Sequence, residues 1–245
     1  MRAPLRLRTA LPLLLAGVAL ATATGCTREL RAVDLETMTF EDSVPPIDAS
    51  VEVCIRSNLH KRQWSVEGPP YRIALGKRAA LHFERMAKQA FREAVAVYTD
   101  ACGATSETPW VEATIVSANR DYDGIEGFPL FGYFVELFSG ADPVDTALTM
   151  SFALHADDGS EIWSTEVKSE HRVVDTPPPP IPTVGARVRA RRGSRDFAVV
   201  LRDALDRGYQ ALISSETVRR AFDDDGLERA REAASAGALG VAGRR

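Results

Sequence analysis

The three cysteines carry the most reactive side chains of this chain, and their positions decide which chemistry is open to them. Cys26 stands near the start, while Cys54 and Cys102 remain for the folded part. Two thiols in an oxidising compartment can form a disulfide. Alternation argues against that pairing, because a strand that buries Val51 and Val53 turns Cys54 to its other face. A Cys54–Cys102 bridge and two separate thiols are therefore both open.

The first 25 residues have the pattern of a secretory leader. Three arginines among the first eight residues precede an apolar stretch at about 10–20, and small residues follow up to Gly25. A basic segment, a short apolar segment and small residues before a cut site are typical of a signal peptide. The apolar stretch is shorter than the roughly 20 residues that a membrane-spanning helix needs. We expect residues 1–25 to be removed on export.

The residues at the expected cut, Ala23-Thr24-Gly25-Cys26, resemble a bacterial lipobox, with Ala23 where the family most often has Leu. The resemblance implies that Cys26 is acylated and becomes the new N-terminus. The alternative is a plain secretory signal, with Cys26 an ordinary thiol. An anchor of several acyl chains holds far more firmly than a single chain. By analogy with bacterial sorting, Thr27 after the cysteine favours the outer membrane, with the chain facing the periplasm.

The charge balance excludes one class of partner. The chain has 30 Lys and Arg against 34 Asp and Glu, a net charge of −4, which becomes −7 once the three leader arginines are removed. An acidic, exported chain has no electrostatic reason to bind nucleic acid. The expected contacts are instead the membrane, through the N-terminal lipid, and either an envelope protein or further copies of the chain.

Hydrophobic periodicity places the elements that must position any site. The predicted elements, in chain order, are a strand at about 50–57, a helix at about 76–98, a strand at about 110–119, hairpin arms at about 148–155 and 162–174, and helices at about 194–214 and 216–222. The hairpin is the clearest of them, because the short turn Asp157-Asp158-Gly159 separates two alternating runs. Residues 26–48 are expected to form the lipidated N-terminus and a tether, 49–222 a single domain, and 223–245 a weakly ordered tail.

This element order predicts an α+β fold, an antiparallel or mixed sheet of about four strands with two helices packed on one face. Together with the lipobox-like residues, the order over 50–214 resembles the small periplasmic α/β lipoproteins of Gram-negative bacteria. That group includes accessory lipoproteins of curli and exopolysaccharide secretion and activators of peptidoglycan synthases. The resemblance rests on element order rather than on a diagnostic motif, so it implies a function only by analogy.

Two stretches are candidate interaction surfaces. The first is an aromatic run in a connection between strands, with the residues Phe128, Leu130, Phe131, Tyr133, Phe134 and Phe138. Apolar surface of this density is either packed on the sheet or used to contact a protein or the membrane. The second follows a run of prolines and consists of Arg187, Arg189, Arg191, Arg192 and Arg195. Guanidinium groups bind phosphate and carboxylate well, so these residues predict an anion contact, with a solvated flexible loop as the alternative.

The spacing of the titratable residues gives no support to a catalytic, metal or cofactor site. The four histidines stand far apart in the sequence and match no zinc-hydrolase motif: His60, His82, His155 and His171. Two acidic turns, at 119–124 and 223–226, each lack a ligand that a calcium loop requires. The sequence therefore favours a non-enzymatic accessory or assembly factor. An envelope enzyme with an unrecognised carboxylate or histidine site and a self-assembling structural lipoprotein remain as alternatives.

Overall fold

The described part of the chain contains two β-sheets and four helices. The computed structural model describes residues 28–30, 45–65, 71–103, 108–122, 142–175 and 182–222. The strands are β1 (Arg28–Leu30), β2 (Ile47–Cys54), β3 (Trp64–Ser65), β4 (Tyr71–Ile73), β5 (Phe91–Val97), β6 (Trp110–Tyr122), β7 (Asp142–His155) and β8 (Glu161–Asp175). The helices are α1 (Ser57–His60), α2 (Leu75–Ala90), α3 (Pro182–Ser214) and α4 (Glu216–Ala221).

The main sheet is mixed and has the strand order β5-β2-β6-β7-β8. Strands β5, β2 and β6 run parallel, and β6, β7 and β8 are antiparallel neighbours. The predicted hairpin is confirmed as β7 and β8, and Gly159 in its turn has a φ of 89°. His155 pairs with Glu161, whereas His171 pairs with Thr146, so the two histidines are not opposed. A mixed sheet was one of the two predicted forms, and it has five strands where about four were predicted.

The additional strand, β5, lies inside the segment that the sequence predicted to be helical. The predicted helix was to run to about residue 98, whereas α2 ends at Ala90 and the chain continues as a strand. The reason is that Ala94 and Ala96 pack against the core at a spacing of two, and Phe91 is buried at the strand's start. In a short segment, apolar residues at this spacing match the pattern of a strand as well as that of a helix.

Helices α2 and α3 bury one apolar stripe each against the main sheet. The stripe of α2 comprises Ala79, Ala80, Phe83, Met86, Ala87 and Ala90. The stripe of α3 includes Phe197, Val200, Leu201, Ala204, Leu205 and Leu212. Both stripes belong to one core together with alternating strand residues such as Val111, Leu148 and Phe152. The two long helices therefore cover one face of the sheet, as predicted, and contact each other.

Strand β6 contains one irregularity. Ile115 pairs with Met150 and Ser117 pairs with Thr149, so Val116 is an extra residue without a partner in β7. An extra residue of this kind is a β-bulge, which bends a strand and increases its local twist. Val116 is exposed.

The predicted tether takes part in the fold at both of its ends. Arg28–Leu30 forms β1, which runs parallel to β4 in a small sheet of order β1-β4-β3, and Ile47 and Asp48 already belong to β2. The segment predicted as a tether, 26–48, therefore contributes these residues to the two sheets. Ile47 and Ala49 are both buried, so the core-facing alternation begins three residues before the predicted start of the strand.

Candidate functional site

Cys54 and Cys102 form a disulfide in the structure, with Cα atoms 6.0 Å apart. Cys54 is the last residue of β2, and Cys102 follows β5, the parallel neighbour of β2. Val53 packs in the core, whereas Cys54 is buried on the opposite face of the sheet. The alternation correctly predicted that Cys54 points away from the core. Cys102 lies on the same outer face of the sheet, so the two cysteines can still form the disulfide.

Next to the disulfide, three charged or titratable side chains converge on the outer face of the sheet. Glu112 is the β6 partner of Cys54. Its Oε2 lies 2.8 Å from Nε of Arg56, and its Oε1 lies 3.3 Å from Nε2 of His155. Neither contact has the alignment of a good hydrogen bond. Arg56 and Glu112 form an ion pair, and the His155 ring nitrogen lies beside the same carboxylate. All three side chains are only partly exposed.

The cluster stabilises the charged form of Glu112. The contact with the His155 ring is the main reason that the pKa of the Glu112 carboxyl lies below its usual value, and partial burial opposes this effect. The Arg56 guanidinium also favours the carboxylate. A carboxyl group with a lowered pKa is poorly suited to donate a proton near neutral pH. Glu112 is therefore better suited to hold Arg56 and His155 in place than to act as a general acid.

Trp110 closes one side of this cluster. Its ring stacks on that of His155, with centroids 4.9 Å apart and an angle of 15° between the planes. Gly103, which has a φ of 74°, lies against the same Trp110 ring. A Cβ at Gly103 would come within 2.3 Å of the Trp110 ring, so both its backbone conformation and the close approach require glycine. The turn after the disulfide is thus fitted against Trp110.

A second charged pair lies inside the core, between β6 and α3. The Arg120 guanidinium donates hydrogen bonds from Nε and Nη2 to Asp196 Oδ2, at 3.0 and 2.8 Å. The Arg120 side chain is fully buried, and that of Asp196 is 7% exposed. Nearby, the rings of Trp64 and Phe197 pack 4.9 Å apart. The pair connects the far part of β6 to α3 and has no sequence motif that would have identified it.

His82 is the third buried polar feature. It lies on α2, is 1% exposed, and neither ring nitrogen has a hydrogen-bond partner among the described residues. Burial, with smaller contributions from Arg85 and Arg78, lowers the pKa of His82 from 6.5 to about 4. The ring is therefore neutral near pH 7 and packs as part of the core.

This burial predicts a loss of stability in mild acid. Between pH 6.5 and about 4, the unfolded His82 ring binds a proton that the folded ring does not, so the free energy of unfolding falls as the pH falls. In the variant His82→Leu this fall should be smaller, as measured by urea unfolding at pH 7 and pH 5. His171→Leu, which removes a partly exposed histidine of β8, is the control. Equal pH dependence in both variants would contradict the assignment.

The arginine-rich stretch is helical rather than a flexible loop. Helix α3 begins at Pro182, about twelve residues before the predicted start, and includes all five arginines. Arg187, Arg191 and Arg195 are exposed, while Arg189 and Arg192 are partly buried. Cys26 and the aromatic run at 128–138 lie outside the described residues, so their predicted roles stay predictions.

Comparisons with known proteins reveal similarity only at the level of solved structures. No family model and no curated protein matches the chain. The similar structures include a DUF330 protein from Xanthomonas campestris, at 8% identity and a TM-score of 0.45, covering 74% of this chain and 92% of that one. A minor lipoprotein from Acinetobacter baumannii has 8% identity and a TM-score of 0.35, covering 69% and 94%. Rare lipoprotein B from Shewanella oneidensis has 9% identity and a TM-score of 0.32, covering 65% and 89%.

Similarity at this level leaves the function of the chain to be argued from its own residues. Two of these three structures carry the word lipoprotein in their names. None of the described helices combines the length and the apolar character that a bilayer-spanning segment needs.

Proposed function

We propose that this chain is a lipid-anchored protein of the cell envelope, acylated at Cys26, that works without catalysis as an accessory or assembly factor. Its proposed location is the outer membrane, on the side that faces the periplasm. The leader pattern and the lipobox-like Ala23-Thr24-Gly25-Cys26 support the anchor. The observation that carries the proposed contact with a partner protein is the edge of the main sheet at β5, which no strand in the described part of the chain covers.

Strand β5 is paired with β2 on one side, and no described strand pairs with its other side. An edge strand presents unpaired N–H and C=O groups to which an extended segment of another protein can bind. Val95 is 62% exposed and Tyr98 is 59% exposed, so apolar side chains lie beside these backbone groups. An incoming strand would thus gain both hydrogen bonds and apolar contacts.

The opposite edge of the sheet is protected by charge. Along β8, exposed charged side chains follow each other closely: Lys168, Glu170 and Arg172. Charged side chains on an edge strand are a common protection against strand addition. The segment 94–97 of β5 is Ala-Val-Ala-Val and has no such protection. This contrast favours β5 as the contact edge.

Co-purification from detergent-solubilised envelopes tests this proposal. Wild-type protein should recover a stable partner, and Val95→Lys should reduce its recovery several-fold, because a charged side chain opposes strand addition. Val174→Lys is the matched control, since Val174 is a 68% exposed valine on the other edge strand. Cys26→Ser should lose the partner together with the membrane. Equal recovery with Val95→Lys and Val174→Lys, or no partner with wild type, would count against the proposal.

Self-assembly through the same edge is the variant of this proposal in which the partner is a second copy. Size-exclusion chromatography of the mature chain with Cys26→Ser distinguishes the two. An oligomer that dissociates in Val95→Lys would identify the partner as the chain itself, whereas a monomer leaves a different envelope protein as the partner.

An envelope enzyme is the second candidate, because Glu112 and His155 lie 3.3 Å apart beside a stacked tryptophan. A histidine oriented by a carboxylate is a common arrangement for a general base. Activity on cell-wall material that disappears in His155→Gln, with partner recovery unchanged, would favour this candidate over the accessory role.

A further inference from the structure

The first half of α3 exposes three arginines in one line. Arg187, Arg191 and Arg195 are spaced by four residues, and all three are exposed. Residues at this spacing lie on the same side of a helix, so the three guanidinium groups form a stripe about 12 Å long. We call these three residues the arginine stripe. Like charges at a spacing of four destabilise a helix, so the stripe has a cost to the fold.

Within the described residues, none of the three arginines has a carboxylate at ion-pair distance, whereas the arginines in the second half of the same helix do. Arg202 Nε lies 3.8 Å from Asp206 Oδ2, and Arg207 Nη2 lies 3.1 Å from Asp203 Oδ2. In the second half of α3, aspartates of the same helix therefore neutralise the exposed arginines. The arginines of the arginine stripe are left available to an external anion.

The part of α3 that carries the arginine stripe packs on the small sheet that contains β1. Gly193, between Arg191 and Arg195, packs so closely that a Cβ there would be 3.3 Å from the Trp64 ring and 3.5 Å from Ile73 Cδ1. Ile73 is paired with Leu30 of β1. Cys26 precedes Leu30 by only four residues, so their Cα atoms cannot be more than about 15 Å apart. Strand β1, which the expected acylation site precedes by a few residues, therefore packs near the part of α3 that carries the stripe. The stripe itself lies on the outward side of the helix, because Gly193 faces inward.

We infer that the arginine stripe docks on the membrane that holds the lipid anchor, by binding the phosphate groups of anionic headgroups. Guanidinium groups bind phosphate in a bidentate manner, and basic side chains beside a lipid anchor strengthen binding to anionic membranes. The chain after leader removal has a net charge of −7, so the rest of the molecule is repelled by such a surface. Attraction at the arginine stripe and repulsion elsewhere would orient the fold on the membrane.

The inference rests on the proposed function only for the compartment, and it can be tested without the lipid. The probe is the mature chain with Cys26→Ser, mixed with phosphatidylcholine vesicles that contain about 30% phosphatidylglycerol, or none. The chain should sediment with the anionic vesicles and not with the neutral ones. Raising the salt from about 0.05 M to about 0.5 M should release it, because salt screens exposed charges.

The decisive comparison uses two variants that lose equal charge. Replacement of Arg187, Arg191 and Arg195 by Gln should lower the partition coefficient on anionic vesicles at least tenfold, since each basic residue near the surface contributes about fivefold before screening. Replacement of Arg202, Arg207 and Arg220 by Gln should change it less than about twofold, because these exposed arginines already pair with Asp206, Asp203 and Glu216.

Equal losses in the two variants would show a response to net charge alone and overturn the inference, as would a wild-type chain that does not bind anionic vesicles. Circular dichroism of both variants should match the parent, because Gln is a good helix former. The outcome is separable from that of the proposed function: Val95→Lys should leave vesicle binding unchanged, and loss of the arginine stripe should leave detergent-phase partner recovery unchanged.

Discussion

Replacing Asp196 by Ala should lower the free energy of unfolding by about 3–5 kcal/mol. Arg120 is fully buried, and Asp196 accepts two of its hydrogen bonds. Removal of the carboxylate would leave the charge of a buried guanidinium without its main compensation, which costs far more than the loss of an exposed ion pair. Urea unfolding followed by circular dichroism at pH 7 measures the change.

Asp206→Ala is the control for this prediction. Asp206 lies on the same helix and pairs with Arg202, but its side chain is 44% exposed, so the expected cost is below about 1 kcal/mol. The double variant Arg120→Met with Asp196→Leu should recover much of the loss, because an apolar pair of similar volume removes the need to compensate a charge. The account is wrong if Asp196→Ala is as stable as Asp206→Ala.

Removing the disulfide should have the second-largest effect. The double variant Cys54→Ala with Cys102→Ala is expected to lose about 2–4 kcal/mol, because the bridge closes a loop between residues that are 48 apart and so restricts the unfolded chain. Dithiothreitol should reduce the stability of wild-type protein by a similar amount and leave the double variant unchanged. A wild-type protein whose stability does not respond to the reductant would show that the bridge is absent or without effect.

The disulfide also shows how correct local reasoning can point away from a correct tertiary result. The alternation of Val51 and Val53 against Cys54 predicted the face on which Cys54 lies, and the structure agrees. The alternation gives no information about the position of Cys102, which depends on the turn after β5. Because β5 itself was predicted as the end of a helix, the neighbour of Cys54 was unknown.

The prediction of α2 and β5 as one helix has a physical cause in the side chains themselves. Phe91, Ala94 and Val97 continue the three-residue steps of α2, and Ala94 and Ala96 equally satisfy the two-residue period of a strand. Periodicity cannot separate the two when small apolar residues satisfy both, and pairing with β2 over Ser50–Cys54 decides in favour of the strand. Tertiary hydrogen bonds of this kind are not encoded locally.

The hairpin and the two helical stripes could be predicted because their signals are local and unambiguous. The charged groups of the candidate site could not. Glu112 lies in β6, Arg56 in the connection between β2 and α1, and His155 at the end of a hairpin arm, so only the tertiary fold brings them together. For Arg120 and Asp196, 76 residues apart, the sequence holds no spacing that indicates a contact.

The bulge at Val116 explains why these two polar clusters lie on opposite sides of the same strand. Glu112 and Arg120 are separated by eight residues, and in a regular strand an even separation would point both side chains to one face. The extra residue shifts the count, so Ala113 and Ile115 before it and Ala118 and Arg120 after it share the helix-facing side. After Val116, the face on which each side chain of the strand lies is reversed relative to a regular strand.

It follows that the residue count of β6 is as constrained as its composition. A chain one residue shorter between Thr114 and Ala118 would keep every side chain needed for both clusters, yet it would present Arg120 to solvent and place its neighbours in the interior. Exposed side chains of β6 can therefore be exchanged without changing which residues face the core. The insertion or deletion of one residue would change it.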